Sequence, residues 1–263
     1  MKISFYEEFP TKENLDKIRL IKFPTRLIVA AKSLNEFNSI KNRITEYNNK
    51  NIKEVIYWPV LEKDEGYWLS ALSKNSGLKR IIDELKQNEK PLTIMWDAEL
   101  PFYKAPTYKY LFNYFIYFQN RRIILNFFKN AKNYNIKILT SEYPLQSKFF
   151  RNLLFGLFLI SFDPKKYGNK KIAMLYTSLI KNRPSIESFL EKQIKLGKEY
   201  FGDDFMVALG TITLGVNGNE PILSPDELGR DLKIAKKNKI SEVVIFRLGG
   251  VNAKYVNVIK KYI

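Results

Sequence analysis

The segment TIMWDAELP, from Thr93 to Pro101, runs as an apolar strand and finishes on two carboxylates, Asp97 and Glu99. Residues at i and i+2 of a strand point the same way. Alternation therefore puts Thr93, Met95, Asp97 and Glu99 on one face and Ile94, Trp96 and Ala98 on the other. Two carboxyls side by side at the end of a core strand are expensive as structure and useful as acid–base chemistry. The structural alternative is an ion pair with a strand-end cation such as Arg247.

Composition narrows the chemistry. The chain has 263 residues, no histidine and no cysteine. Histidine-based proton transfer, Ser-His-Asp hydrolysis, thiolate nucleophiles, disulfides and zinc sites of the usual ligands are therefore excluded. Acid–base work falls to Asp, Glu, Lys, Tyr or the substrate. No metal and no cofactor is expected.

The elements that must hold these acids repeat in one pattern. Apolar strands are expected at Ile3–Phe9, Arg26–Ala31, Glu54–Val60, Leu92–Leu100, Ile136–Pro144, Lys171–Ser178, Asp204–Gly215 and Glu242–Gly250. An amphipathic helix is predicted after each. Thr11 caps the first, Ser224 caps the seventh with Pro225 at its first position, and the last runs to Tyr262. Continuous apolar strands alternating with helices indicate a parallel sheet covered by helices. Eight such units in 263 residues fit a single (β/α)8 TIM barrel over residues 1–263. The apolar run NLLFGLFLISF (Asn152–Phe162) reads as a buried part of the fifth helix. As a ninth strand it would favour an open doubly wound sheet.

In such a barrel the chemistry lies at the C-terminal strand ends. Strand 1 ends in Glu7 and Glu8, of which alternation lets one face the axis. Strand 3 carries Tyr57 and Trp58, and strand 5 ends with Glu142 or Tyr143. Strand 6 carries Tyr176 and strand 8 carries Arg247. The loop EKDEGYWLS adds Tyr67 and Trp68 as a surface platform. Taken singly, each aromatic is more often core. Together, acids and aromatics round one mouth suit a sugar, whose C–H faces pack on rings while its hydroxyls bond carboxylates.

Asp97-Ala98-Glu99 resembles the tail of the family-18 chitinase motif Asp-x-x-Asp-x-Asp-x-Glu. Met174 and Tyr176 resemble that family's Met-x-Tyr element. The resemblance implies Glu99 as the acid, Asp97 as its neighbour and Tyr176 as a hydrogen-bond donor in the site. Met95 and Leu92 stand where the motif has earlier acids, and Thr177 stands where an Asp usually follows the Tyr. The leading expectation is a glycoside-hydrolase-like barrel with Glu99, Asp97, Glu142 and Glu8 as its acids. Tyr176, Trp58, Trp68, Arg247 and Glu7 would line the sugar site.

Two other readings compete. GTITLGVNGNEP and RLGGVNAKY follow strands 7 and 8, where barrels often bind phosphate. Gly215, Gly218, Gly249 and Gly250 would supply amides to a phosphosugar in a lyase or isomerase, and Lys32 past strand 2 could form an imine. The net charge of +17 allows a non-catalytic basic module for nucleic acid or membrane. The lysines are scattered, however, so nucleic acid is the less favoured partner and a carbohydrate or other small molecule the more favoured one. The first ten residues lack a signal peptide's apolar core, and Asn152–Phe162 is too short to span a bilayer. The expectation is a soluble, cytoplasmic protein.

Overall fold

The structure, a computed structural model, describes residues 1–101, 114–145, 156–180 and 186–263. Eight parallel strands close into a barrel in chain order, with helices between them. They are β1 Lys2–Glu7, β2 Thr25–Ala31, β3 Ile52–Pro59, β4 Leu92–Asp97, β5 Ile136–Glu142, β6 Lys170–Met174, β7 Phe205–Gly210 and β8 Glu242–Phe246. The fold is a (β/α)8 TIM barrel. The main helices are α1 Lys12–Asp16, α2 Leu34–Glu46, α3 Asn75–Gln87, α4 Tyr114–Asn130, α5 Ile186–Phe201, α6 Pro225–Lys237 and α7 Ala253–Ile259. Among the described residues, no helix is long and apolar enough to cross a membrane.

Several strands end earlier than the apolar runs suggest. β6 stops at Met174 and β8 at Phe246, so Tyr176 and Arg247 lie just beyond the ladders. The first helix is also shorter than expected. Thr11 caps α1 by accepting from Asn14 N–H at 3.3 Å, and a 3-10 turn then covers Lys17–Leu20. Ser224 and Glu227 form a reciprocal capping box on α6. Of the apolar run Asn152–Phe162, the described part makes one helical turn, Gly156–Phe158, and no strand. The rest of that run, residues 152–155, lies outside the described residues.

The chain groups into two compact units: Met1–Ala30, Asn38–Ile56 and Ile172–Ile263; and Ala31–Phe37 with Tyr57–Lys171. In the first, Phe5, Val207 and Ile245 are fully buried. Phe205 on the same face of the sheet meets α5. A Cβ placed on Gly197 of α5 would lie 2.1 Å from the Phe205 ring, so helix and strand approach through a missing side chain. The other face is polar at its N-terminal end: Arg26 bonds Glu242 at 2.7 Å and Glu54 at 3.2 Å.

In the second unit, β4 and β5 pair from Leu92↔Ile136 to Asp97↔Ser141. Trp96 is fully buried against α4, with ring centroids 5.9 Å from Phe127 and 5.3 Å from Phe128. Its indole N–H donates to Leu69 O at 3.1 Å, as a buried Trp requires. Phe128 stacks on Phe162 at 3.9 Å. Thr140 pairs with Trp96 in register, so it shares this helix-facing side, and so does Glu142 two residues on. There the Glu142 carboxylate meets Lys171 Nζ at 2.6 Å, the Thr140 hydroxyl at 2.8 Å and Phe162 N–H at 3.0 Å. Lys171 is also fully buried and donates to Ser161 at 3.0 Å.

Two substitutions test this packing. Gly197→Ala would gain up to about 1 kcal/mol of helix propensity elsewhere, but here the methyl must displace Phe205. A net loss of about 1–2 kcal/mol is expected, read as a lower urea midpoint at constant m; a stabilised variant would contradict the close approach. Lys171→Met leaves a buried carboxylate without its cation, and a loss of about 3–5 kcal/mol is expected. Adding Glu142→Gln should recover part of it.

Candidate active site

Asp97 closes β4, but the chain stays extended for one residue more. Ala98 N–H donates to Ser141 O at 2.9 Å, and Asp97 O accepts from Leu69 N–H at 3.1 Å. Since Trp96 and the buried Ala98 lie on the helix side, Asp97 lies on the opposite face, as strand alternation requires. The Glu99 carboxyl hydrogen-bonds both Asp97 and Tyr143. The Tyr143 hydroxyl in turn accepts from Leu100 N–H at 3.4 Å. Burial pushes Glu99 up to about 7, and the Tyr143 and Asp97 hydrogen bonds only partly oppose it. Burial, then the Glu99 charge, raises Tyr143 well above the usual phenol range. Glu99 itself is half-buried. A carboxylic acid that still carries its proton near neutral pH, with some surface exposed, is equipped to give that proton away.

Aromatic residues accompany this strand end. Tyr57 points to the helix side, stacked on Phe37 at 4.9 Å, so Trp58 takes the opposite face of β3. The loop carrying Tyr67 and Trp68 is tied down through the Leu69 N–H bond to Asp97 O. Tyr67 is buried and Trp68 half-buried, with their rings edge to face at 5.7 Å. At the end of β5, the choice between Glu142 and Tyr143 goes to Tyr143 by geometry, because Glu142 lies among the helices. Lys32 pairs with Glu62 at 2.8 Å and is half exposed.

The first unit sorts its strand-end residues the same way. Glu7 faces α1, where its carboxylate takes Arg247 Nη1 at 2.9 Å, Phe9 N–H at 2.8 Å, Gly249 N–H at 2.7 Å and Asn14 at 3.3 Å. Burial still raises its pKa, with Arg247 pulling the other way. Arg247 also stacks over Phe9 at 4.8 Å and donates to Leu214 O at 2.9 Å. Its partner is thus Glu7. Glu8 takes the opposite face, that of Tyr6 and Phe246, whose rings lie 6.1 Å apart; Tyr176 is 5.7 Å from Phe246. A Cβ on Gly215 would fall 3.0 Å from Glu8 Oε2 and 2.9 Å from both Phe246 and Glu220.

The glycine amides already have acceptors within the chain. Gly215 N–H donates to Glu220 at 3.0 Å, Gly218 N–H to Gly215 O, and Gly250 N–H to Arg247 O. Gly249 N–H serves Glu7. Glu220 and Asp231 escape sequence reasoning. Glu220 sits in a Gly/Asn loop that gives no hint of its contacts. Asp231 does leave a signal, because it falls on the apolar face of α6 with Leu228, Leu232 and Ala235. It is fully buried, pairs with Arg230 at 2.8 Å and accepts from the Thr177 hydroxyl, so it holds the turn beside Tyr176. Among the described residues, no group of three or more acids is placed to hold a metal ion.

No protein-family model and no curated protein matches the sequence. Solved structures do. The glycoside hydrolase domain of PgaB (BpsB) from Bordetella bronchiseptica aligns over 100% of this chain and 98% of its own, at 8% identity and a TM-score of 0.62. The GH18 chitinase ChiB from Flavobacterium johnsoniae aligns over 99% and 93%, at 12% identity and 0.56. A D-tagatose 3-epimerase-like protein aligns over 100% and 97%, at 13% identity and 0.53. At these identities the likeness is one of fold: a closed eight-stranded parallel barrel similar to those of glycoside hydrolases and of sugar epimerases.

Proposed function

We propose that the protein is a glycosidase whose general acid is Glu99. The observation that carries the reading is the hydrogen-bonded Asp97–Glu99 pair at the end of β4, with Glu99 held up to about 7 by burial. In the proposed reaction Glu99 gives its proton to the glycosidic oxygen as the bond to the anomeric carbon breaks. Asp97 orients the acid and stabilises positive charge on the sugar ring. Trp58 and Trp68 offer apolar faces to sugar C–H surfaces. In the first unit, Glu8 takes the face of β1 opposite Glu7, near Gly215. Glu7 and Glu142 belong instead to ion pairs on the helix side. The glycoside hydrolases among the fold relatives favour the same substrate class.

The phosphosugar reading loses ground because all four glycine amides serve internal acceptors. The basic-module reading finds mixed charge in a cleft of the first unit. There Arg230, Lys233, Lys237 and Lys261 share the lining with Glu187 and Glu191. Glu191 pairs with Lys237 at 3.0 Å.

Reducing-sugar release from a panel of soluble and insoluble polysaccharides, together with chromogenic α- and β-glycosides, tests the proposal. Glu99→Gln should lower kcat by roughly a hundredfold or more on any substrate the wild type cleaves. The acid works protonated, so activity should fall as pH rises, with a midpoint at about 7. Full activity in Glu99→Gln, or a chain inert on every glycan, would overturn the assignment.

A further inference from the structure

We infer that the Tyr143 hydroxyl is a positioning residue for Glu99, fixing which carboxyl oxygen keeps the proton and receiving the charge left when that proton departs. The inference rests on Glu99 as the acid. Asp97 pairs with Ser141, and the Ala98 N–H bond to Ser141 O carries the ladder one step further. Two residues beyond that pair, on the same face, stand Glu99 and Tyr143. The tyrosine therefore arrives beside the acid because two neighbouring strands end together. Its ring is held by more than the Glu99 contact, since the same hydroxyl oxygen accepts from Leu100 N–H at 3.4 Å. One phenol thus engages both the Glu99 side chain and the backbone amide that follows it.

The chemistry follows from which atoms can donate. The phenol has one proton to give, and its bond to Glu99 favours the carboxylate, as a donated O–H does, so that proton goes to one Glu99 oxygen. The acidic proton then resides on the other oxygen, the one that meets the glycosidic oxygen during reaction. As the O–H bond of Glu99 breaks and the new bond forms on the leaving oxygen, Glu99 becomes a carboxylate. The Tyr143 hydrogen bond strengthens at that moment, as charge-assisted bonds do, which is the condition for lowering a barrier rather than merely binding a substrate. Among the described residues, the ionisable groups that bear on Glu99 are Asp97 from β4 and Tyr143 from the end of β5. Glu142 lies on the other face of β5 and bonds Lys171 of β6.

Tyr143→Phe keeps the ring and removes the hydroxyl. The Glu99 carboxyl is followed by carbon-detected NMR titration in wild type and variant, a readout that needs no substrate. Because the lost bond favours the carboxylate, the Glu99 midpoint should move upward from the wild-type value of about 7. On a cleaved glycan, kcat should fall roughly ten- to a hundredfold with KM little changed, and the alkaline limb should move up with the titration. An unmoved midpoint together with unchanged kcat would overturn the inference while leaving Glu99 as the acid. Full activity in Glu99→Gln would instead remove the reading on which it rests.

Discussion

Successive residues of a strand point to opposite faces, and in this barrel that alternation divides the strand-end acids into two kinds. Glu7 and Glu142 fall on the helix side. Each is wholly buried and meets a cation, Arg247 at 2.9 Å and Lys171 at 2.6 Å, with backbone amides filling the remaining lone pairs. Buried charge without such partners would be very costly. Asp97 and Glu8 fall on the opposite faces of their strands, beside rings and other carboxylates. A shift of one residue in either strand would exchange the two sets and destroy both the packing and the candidate chemistry.

Glu99 shows what the second environment does. Desolvation disfavours its charged form more than two hydrogen bonds restore it, so the carboxyl is raised from 4.5 to about 7. By linkage, the folded chain holds this proton up to about 3 kcal/mol more tightly than the unfolded chain. The contribution is complete below the unfolded value and disappears as pH rises through the folded one. The candidate site thus gives up stability at alkaline pH while holding an acid that keeps its proton near neutrality.

The sequence carried the architecture well because period and punctuation agree. Apolar runs alternate with capped amphipathic helices, and Thr11 and Ser224 cap where side-chain chemistry says they should. The face of Trp96 also followed from alternation. Strand ends were less legible, since Tyr176 and Arg247 continue an apolar pattern after the ladders stop. Partners were least legible. That Arg247 meets Glu7, or Lys171 meets Glu142, depends on contacts between residues 240 and 29 positions apart, and no local pattern encodes them. The glycine loops looked like anion cradles, yet a carboxylate from the chain itself, Glu7 or Glu220, already occupies two of their amides. Tyr143 was visible only as one of two choices at a strand end, and the helix-side pairing of Glu142 is what separates them.

A proton donor at the end of β4 requires Glu99 to be a neutral carboxylic acid at pH 6. Infrared difference spectroscopy of wild type against Glu99→Gln measures this directly, because a protonated carboxyl and a carboxylate absorb apart. A protonated-carboxyl band is expected at pH 6, absent from Glu99→Gln and lost from wild type with a midpoint at about 7. A wild-type spectrum at pH 6 showing only carboxylate at this position, with the proton lost near the ordinary 4.5, would contradict it.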